Sequence, residues 1–337
     1  MTKVTVYVGL DYHQDSVQVC VMDRSGKVLV NRNCENDWIA IRDTVNPHGA
    51  GVKAAIEACG GASGLAEELV QRCRWSVDLA HPGYVARMKQ NPDKTDFGDA
   101  RMLADLERVG YLPRVWLAPH EVRELRRLVR YRQQLVGERR NLKLRVGALL
   151  REGRVPRPSV RSWSVAWLRW LEEQAELTEQ TRWIIERQLE DLTRLNREIL
   201  NVECRLTATI AEDPLVEQLM DLKGVGLVTA VTIRAEIGRF DRFRTGKQLA
   251  RFCGLTPRNA SSGQRQADAG LIKAGNPQLR AVLIEAAHRL ARYDARWATL
   301  AANLRRRGKP GSVVAAAIAN RWMRWLFHQM QPTTQAA

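Results

Sequence analysis

The stretch Val4-Thr5-Val6-Tyr7-Val8-Gly9-Leu10-Asp11 is rich in alternating β-branched residues and ends on a carboxylate. Such alternation is typical of a β-strand, here predicted over Val4–Leu10. A second run of this kind, Val17–Met22, is followed by a turn and a third run, Lys27–Asn31. The three segments predict an antiparallel meander that opens the fold, with Asp11 at the end of its first strand.

Beyond the meander, the sequence alternates between helical and strand patterns. The predicted elements are a helix at Trp38–Val45, a buried strand at Val52–Glu57, a helix at Ser63–Arg72, a strand at Ser76–Ala80 and a helix at Val85–Gln90. This order predicts an α/β domain with a mixed sheet, of the kind seen in ribonuclease H. Glu57 would end the fourth strand.

Two further carboxylates lie in Lys94-Thr95-Asp96-Phe97-Gly98-Asp99, which leads into a helix predicted to continue through Ala100–Val109. If Thr95 or Asp96 caps this helix, Asp96 and Asp99 lie near its first turn and can face one cleft. Taken singly, an N-cap explains Asp96 and a β-turn explains Asp11. Together, carboxylates from two strands and a helix can converge on a pair of divalent cations, which activate a nucleophile and stabilise a leaving oxygen.

The charge distribution points to nucleic acid as the partner. The 337 residues have a net charge of +16, yet residues 1–120 carry 14 Lys and Arg against 15 Asp and Glu. The excess lies in residues 121–161, with 13 against 4, and in residues 214–337, with 20 against 7, whereas residues 162–213 carry 6 against 11. The segment that carries the four carboxylates is thus almost neutral overall, and arginine-rich segments follow it. This division suits metal-dependent chemistry on a bound polyanion.

Composition also excludes several classes of protein. No run approaches 18 apolar residues, and the N-terminus leads into a strand, so neither a membrane span nor a signal peptide is expected. We therefore expect a cytoplasmic location. The six cysteines form no C-x-x-C pair, which favours reduced, packed thiols over a zinc site.

Residues 121–213 are predicted to form a helical, partly coiled-coil linker. Glu121–Arg151 is a long arginine-rich helical run, and Leu177–Ile210 places apolar residues at spacings close to a heptad. These two helices would form a hairpin that packs on itself or on another subunit. The tryptophans between them, Trp163, Trp167 and Trp170, could form an interface or belong to the core, and the core is favoured.

Residues 214–332 are predicted to form a mainly α-helical domain that contacts nucleic acid. Leu222-Lys223-Gly224-Val225-Gly226 resembles a helix-hairpin-helix turn, in which two glycines let backbone amides approach a phosphate. Further on, Ser262 lies in a polar loop, with cations nearby to lower its pKa and bind a phosphate. The predicted nucleic-acid-binding residues are Lys223, Gly224, Gly226, Arg258, Arg265, Lys273, Arg126, Arg127 and Arg130.

A set of motifs in this chain resembles one family over nearly its whole length. The set comprises Gly9-Leu10-Asp11, Ile56-Glu57-Ala58, Lys94-Thr95-Asp96-x-x-Asp99-Ala100-Arg101, Gly224-Val225-Gly226, Phe252-x-Gly254-Leu255-Thr256-Pro257-Arg258, Ser262-Gly263 and Lys273-Ala274-Gly275-Asn276. It is similar to the DEDD-type transposases of bacterial insertion sequences. Those enzymes join a RuvC-like domain, here residues 1–120, to a serine-bearing transposase domain, here residues 214–332.

The resemblance implies roles for individual residues and partners. Asp11, Glu57, Asp96 and Asp99 match the acidic tetrad that binds Mg²⁺, with Mn²⁺ as a substitute. Ser262 matches the serine that attacks DNA and forms a transient 5′-phosphoserine, although the preceding Ser261 leaves the alignment open by one residue. The family acts on donor and target DNA with a bridge RNA as guide. It does so as a tetramer of two dimers, in which the tetrad and the serine come from different subunits.

Three alternatives remain open from the sequence. A Holliday-junction-type nuclease would use the tetrad with water and form no covalent intermediate. A site-specific DNA invertase on the same scaffold would share every motif. A non-catalytic nucleic-acid-binding protein would use the acids only structurally.

Overall fold

A computed structural model describes residues 4–88, 95–259 and 268–331. The chain divides into two compact units, Met1–Ala118 and Pro119–Ala337. Ser261, Ser262 and Arg265 lie outside the described residues, as does Lys94.

The first unit is a mixed α/β domain, as the sequence predicts. Its strands are β1 (Val6–Tyr12), β2 (Ser16–Met22), β3 (Val28–Glu35), β4 (Val52–Glu57), β5 (Ser76–Ala80) and β6 (Arg114–Val115). Its helices are α1 (Trp38–Val45), α2 (Ala62–Cys73), α3 (Pro82–Met88) and α4 (Asp96–Arg108). The strands form one sheet in the order β3-β2-β1-β4-β5-β6, in which β1, β4 and β5 are parallel and the remaining pairs are antiparallel.

The predicted ends of helices and strands agree best with the structure where buried residues set the pattern of apolar side chains. Helix α1 and strands β4 and β5 have the predicted limits. Strand β3 continues to Glu35 instead of ending at Asn31, because its polar residues keep pairing with β2 as far as Ser16. Exposed polar residues on an outer strand give no alternation from which its end could be predicted.

The two faces of the sheet are covered differently. On one face, Val8, Leu10 and Ile56 are fully buried in a core that includes residues of α1 and α2. On the other face, α4 packs directly against β1 and β2, where it buries Ala100 and Leu103. Residues that alternate along β1 therefore contribute to two separate cores.

The second unit is almost entirely helical. Its helices are α5 (His120–Glu152), α6 (Val165–Glu173), α7 (Glu179–Thr209), α8 (Pro214–Met220), α9 (Leu227–Ile237), α10 (Gly246–Phe252), α11 (Pro277–Tyr293), α12 (Ala295–Arg306) and α13 (Gly311–Gln329). One two-stranded hairpin, β7 (Pro257–Asn259) and β8 (Asp268–Leu271), interrupts them. The helical content confirms the predicted fold class.

The long helices α5 and α7 pack on each other, which confirms the predicted helical hairpin. Their buried side chains, including Leu135 and Leu142 of α5 and Leu192 and Ile199 of α7, recur at three- and four-residue or seven-residue spacings. Trp167 is 5% exposed and lies 4.6 Å from Trp163, ring centre to ring centre, so its predicted core role is confirmed. Trp163 and Trp170 are partly buried and pack against the same core.

Helices α10, α11 and α12 pack against α13, whose Trp322 is the largest fully buried side chain of the described residues. Within these residues, no helix combines the length and apolar character that crossing a membrane requires.

Candidate active site

Parallel pairing places two of the predicted carboxylates side by side. Strands β1 and β4 are parallel, and Leu10 pairs with Ile56, so Asp11 and Glu57 are the next residues along neighbouring strands. Both belong to the alternating set that faces α4, together with Gly9 and Ala55. Asp11 is only 16% exposed, so its carboxylate is largely shielded from solvent.

Gly9 allows helix α4 to approach this face. A Cβ atom at position 9 would lie 1.8 Å from the carbonyl oxygen of Ala100 and 2.6 Å from the amide nitrogen of Ala104. Both are backbone atoms, so no side-chain rotation could relieve the overlap. The missing side chain at Gly9 therefore sets the distance between α4, which carries Asp96 and Asp99, and the strand that carries Asp11.

We expect Gly9→Ala to displace α4 and to destabilise the first unit by about 1–3 kcal/mol, the usual cost of overpacking. Binding of Mn²⁺ should fall by more than the loss of folded protein explains, because the displaced carboxylates no longer share a site. Thermal unfolding and a Mn²⁺ titration on the same preparations measure the two effects. Gly64→Ala in α2 is the matched control, since a Cβ atom there meets no atom within 4 Å.

The first turn of α4 is held by two contacts. The Thr95 hydroxyl accepts a 3.2 Å hydrogen bond from the Gly98 amide, which confirms Thr95 as the cap. The side-chain NH₂ group of Asn31 on β3 donates a 3.0 Å hydrogen bond to the carbonyl of Phe97. Its side-chain oxygen accepts a 2.7 Å hydrogen bond from the Gln18 side chain. Gln18 is the cross-strand partner of Asp11, so side-chain hydrogen bonds connect the neighbour of Asp11 to the helix that carries Asp96.

The opposite end of α4 is anchored by charge. The buried carboxylate of Glu107 lies 2.5 Å from the Lys53 ammonium at the start of β4 and 2.8 Å from the Arg114 guanidinium. Arg114 also pairs with Asp78 on β5 at 2.8 Å. Fixing both ends of α4 gives the carboxylates at its N-terminus a rigid support.

The carboxylates of Asp11 and Asp96 meet around a histidine. The Nε2 atom of His13 lies 3.5 Å from Oδ2 of Asp11 and 3.4 Å from Oδ2 of Asp96. These three side chains are the one group among the described residues whose possible ligand atoms all lie within 4.8 Å of one another. We call Asp11, His13 and Asp96 the acidic cluster.

Glu57 and Asp99 lie outside that trio but act on it electrostatically. The pKa of Asp11 is raised chiefly by burial of its carboxyl; nearby His13 opposes the shift, and the negative charges of Asp99, Asp96 and Glu57 add to it. The other three carboxylates predicted from the sequence are therefore all close enough to act on Asp11. Asp99 is 9% exposed, whereas Asp96 opens to solvent.

His13 is the site residue that the sequence prediction missed. It follows Asp11 by two residues at the end of β1 and is 44% exposed. A histidine two residues after a strand-terminal aspartate could have suggested a shared site, because alternate residues of a strand face the same side. Only the register of α4 shows that Asp96 lies beside the same imidazole.

The donor set fits a divalent cation. Carboxylate oxygens are the preferred ligands of Mg²⁺ and Mn²⁺, and a neutral imidazole nitrogen is accepted by Mn²⁺ and other transition metals. Mutual repulsion among four carboxylates, which contributes to the raised pKa of Asp11, is the kind of strain that a cation relieves. Asp11, Asp96, Glu57 and Asp99, with His13 beside them, could hold such an ion.

In the second unit, glycines bring two sequence motifs together. A Cβ atom on Gly275 would lie 2.4 Å from backbone atoms of Gly254, so the loops after α10 and before α11 pack back to back. Strands β7 and β8 extend from these loops and pair through Asn259 and Asp268. Arg258 and Lys273, two of the predicted phosphate ligands, are exposed on this hairpin and just after it.

The predicted helix-hairpin-helix turn joins α8 to α9. Gly224 has a φ of +80°, a conformation that favours glycine, and its carbonyl accepts a 3.0 Å hydrogen bond from Arg289. Gly226 precedes the first residue of α9, where no side chain caps the helix, and Lys223 is exposed beside it. The geometry leaves this turn open to an anion.

The predicted phosphate ligands on α5 also have partners within the protein. Arg130 pairs with both oxygens of the buried Glu236, at 2.9 and 3.0 Å, and Arg126 donates to the carbonyl of Ala235. Arg127 pairs with Glu124 on its own helix. Glu236 also accepts a 2.8 Å hydrogen bond from Asn276, the residue that caps α11, so Arg130 is linked through Glu236 to the start of that helix.

Comparison with known proteins gives a consistent result along the chain. The family model described as "Transposase IS116/IS110/IS902 family" matches residues 216–302, and a DEDD transposase model of the IS110 type matches residues 8–154. The second match begins just before Asp11 and includes all four carboxylates. The first includes the turn at Gly224 and the β7–β8 hairpin.

Individual relatives extend the match to almost the full length. A "Probable family 20 transposase" of Pseudomonas aeruginosa is 30% identical over 335 residues, which cover 95% of each chain. The transposase for insertion sequence element IS1111A of Coxiella burnetii is 27% identical, with 97% of this chain and 90% of the relative covered. The transposase for element IS1328 of Yersinia enterocolitica is 24% identical over 96% of both. The chain belongs to the IS116/IS110/IS902 family of transposases and is an enzyme of DNA transposition.

Proposed function

We propose that this transposase cleaves and exchanges DNA strands in a divalent-cation-dependent reaction with Ser262 as nucleophile. The observation that carries the proposal is the convergence of Asp11 and Asp96 on His13, with Glu57 and Asp99 close enough to raise the pKa of Asp11. Acids held close together, two of them largely shielded from solvent, are costly for a protein to retain without a cation to neutralise them. In a chain of net charge +16, that cation would serve chemistry on a bound polyanion.

The serine chemistry balances without an energy-rich cofactor. The Ser262 oxygen would attack the scissile phosphorus, its proton passing to a base or to water, and the bond from phosphorus to the 3′-oxygen would break. The 3′-oxygen would leave as a hydroxyl after taking up a proton. A 3′-hydroxyl of another strand would then attack the phosphoserine and release the serine, so that the number of phosphodiester bonds is conserved.

The residues of the first unit would prepare the phosphate for this attack. A bound Mg²⁺ or Mn²⁺ would supply Lewis-acid neutralisation of charge on the phosphate. Asp11, Glu57, Asp96 and Asp99 would hold the ion, and α4, fixed by Gly9 and Glu107, would keep the last two of them in place. His13 would orient the Asp11 and Asp96 carboxylates.

The nucleic-acid contacts are proposed for exposed cations of the second unit. Lys223, Arg258 and Lys273 are exposed near glycine-rich backbone, and the same role is proposed for Gly224, Gly226 and Arg265. Arg127 would contribute from α5, where it is 73% exposed. Because Arg126 and Arg130 are engaged with the segment around Glu236, they would contribute less to phosphate binding.

Guidance by a bridge RNA is a further part of the proposal. It is supported by the resemblance to the DEDD-type transposases of insertion sequences and by the arginine excess of residues 121–161 and 214–337. Arginine-rich surfaces bind structured RNA through its backbone as well as duplex DNA.

Assembly into dimers or tetramers is also proposed from the resemblance to the DEDD-type transposases. Exposed apolar side chains on the hairpin of α5 and α7 support it. Helix α7 carries apolar side chains that are not covered within the described residues, with Trp183 and Leu200 each 60% exposed. On α5, Leu144 is 55% exposed. Large exposed apolar side chains on a long amphipathic hairpin suit packing against a second copy.

One experiment tests the cation requirement and RNA guidance together. The full chain, purified without added nucleic acid, should carry one specific RNA transcribed from the flank of its own element, identified by sequencing. With that RNA, cleavage of a plasmid bearing the element ends should require Mg²⁺ or Mn²⁺ and stop in EDTA. Cleavage that persists in EDTA would overturn the metal role, and cleavage that needs no RNA would overturn guidance.

A further inference from the structure

The helices α12 and α13 enclose a groove that no part of the proposed function uses. Its volume is about 560 Å³, which is within the range of small-ligand clefts. It is lined by Arg296, Trp297, Leu300, Arg321, Arg324, Trp325 and His328. The last four of these residues lie beyond residues 216–302, which the transposase family model matches.

Helical spacing accounts for the lining. On α13, positions 321, 324, 325 and 328 follow the i, i+3, i+4, i+7 pattern of a single face. On α12, positions 296, 297 and 300 form the facing side. Trp297 is 4% exposed and Trp325 is half-buried, whereas the charged groups of Arg321, Arg324 and His328 reach solvent.

The groove combines aromatic surface with positive charge. The Arg296 guanidinium carbon lies 4.9 Å from the ring centre of Trp297 and 5.7 Å from that of Trp325. Arginine held over an indole leaves its N–H groups available for an anion, and an indole face offers a stacking surface for a base. Among the residues that the structure describes, no carboxylate lines the groove.

The arginines of the groove are not neutralised by acids. Exposed arginines elsewhere in this unit, such as Arg187 and Arg239, pair with a carboxylate within 2.9 Å. Arg296, Arg321 and Arg324 make no such pair among the described residues, and residues 295–331 contain seven Lys or Arg and no Asp or Glu. The positive charge of these three arginines is therefore available to an anion beside the indoles.

We propose that the α12–α13 groove binds single-stranded nucleic acid, with an unpaired base stacked on Trp325 and the adjoining phosphates held by Arg321 and Arg324. Base stacking and arginine contacts together characterise binding of unpaired strands, because duplexes keep their bases stacked on one another. The shared chemistry is that of a base flanked by phosphodiesters, which both DNA and RNA supply. The inference rests on the proposed function only in taking nucleic acid as the ligand.

The test uses the full chain in EDTA, so that binding is measured independently of strand cleavage. Fluorescence anisotropy would compare a labelled twelve-nucleotide oligothymidine, the matching oligouridine RNA, and an abasic strand of equal charge. We expect Trp325→Leu to weaken binding of the base-containing strands about tenfold and to leave the abasic strand unaffected. Arg321→Ala/Arg324→Ala should weaken binding of all three strands. It should also make the slope of log affinity against log salt concentration shallower by about 1.4, because each of the two lost phosphate contacts contributes about 0.7.

A matched control and a crosslink make the result decisive. Arg187→Ala/Arg197→Ala removes two exposed arginines from α7 and should leave all three affinities unchanged. A strand carrying 5-iodouracil should crosslink to Trp325 on irradiation. Crosslinks confined to other segments, or wild-type affinity in the Arg321→Ala/Arg324→Ala chain, would overturn the proposal.

An altered oligomeric state of the groove variants with unchanged strand affinity would also overturn it, since the groove would then bind a second copy of the chain. If Trp325→Leu lowers thermal stability, Arg321→Ala/Arg324→Ala decides the outcome. Both arginines are exposed, so their replacement should leave the fold intact. A preference for RNA or DNA that both variants abolish would identify which strand the groove takes.

Discussion

Ser262→Ala should abolish covalent protein–DNA adducts on suicide substrates, in which a nick next to the scissile phosphate lets the released fragment diffuse away. An alanine side chain has no oxygen to attack phosphorus, so the loss should be complete rather than partial. Nucleic-acid binding should persist, because the proposed phosphate contacts come from arginine, lysine and backbone amides. Denaturing electrophoresis detects the adduct, and a gel-shift assay on the same preparation measures binding.

Ser261→Ala is the matched control for this result. It removes a neighbouring hydroxyl from the same polar stretch of sequence and should leave adduct formation intact. Adduct retained in Ser262→Ala but lost in Ser261→Ala would move the nucleophile by one residue. Strand cleavage with no adduct in any variant, the wild type included, would instead favour hydrolysis by water, as in a Holliday-junction nuclease.

Asp11→Asn should reduce strand cleavage by about a thousandfold or more. Asparagine keeps the size of the side chain but removes a charge from the acidic cluster, and neutralisation of phosphate charge by a bound cation contributes several kcal/mol to the transition state. The chain should stay folded, because a neutral side chain removes repulsion from Asp96, Asp99 and Glu57. A cleavage time course and a thermal melt separate the two properties.

Asp43→Asn provides the control for this substitution. Asp43 lies on α1 of the same unit, is 60% exposed and pairs with Arg42, so the same chemical change there should leave the cleavage rate unaltered. Equal losses in the two variants would point to a general charge effect. Full activity of Asp11→Asn would favour a protein in which the acids are only structural.

Much of the first unit was predictable because burial imposes a period on its sequence. Apolar alternation gave the strands of Asp11 and Glu57, and the parallel arrangement expected of an α/β domain put both at one edge. The cap at Thr95 was predictable from local chemistry, since a side-chain oxygen before a helix satisfies an unpaired amide. The strands and the helix cap depend on residues that are close in sequence, and the position of both carboxylates at one edge depends on a single pairing between two strands.

The rest depended on contacts between distant residues. His13 joins Asp96 only because Gly9 lets α4 lie against β1, a contact across more than 80 positions. Arg130 pairs with Glu236, 106 positions away, a partner that the sequence around Arg130 does not reveal. Sequence spacing can give the face of a helix, but it does not give the partner that covers that face.

Binding of Mn²⁺ to the metal-free chain, followed by electron paramagnetic resonance, tests most directly whether the acidic residues form a cation site. The wild type should bind Mn²⁺ at this site, Mg²⁺ should compete, and Asp11→Asn should lose that binding while Asp43→Asn retains it. Equal Mn²⁺ binding by the wild type and Asp11→Asn would contradict the assignment of these carboxylates as the metal centre.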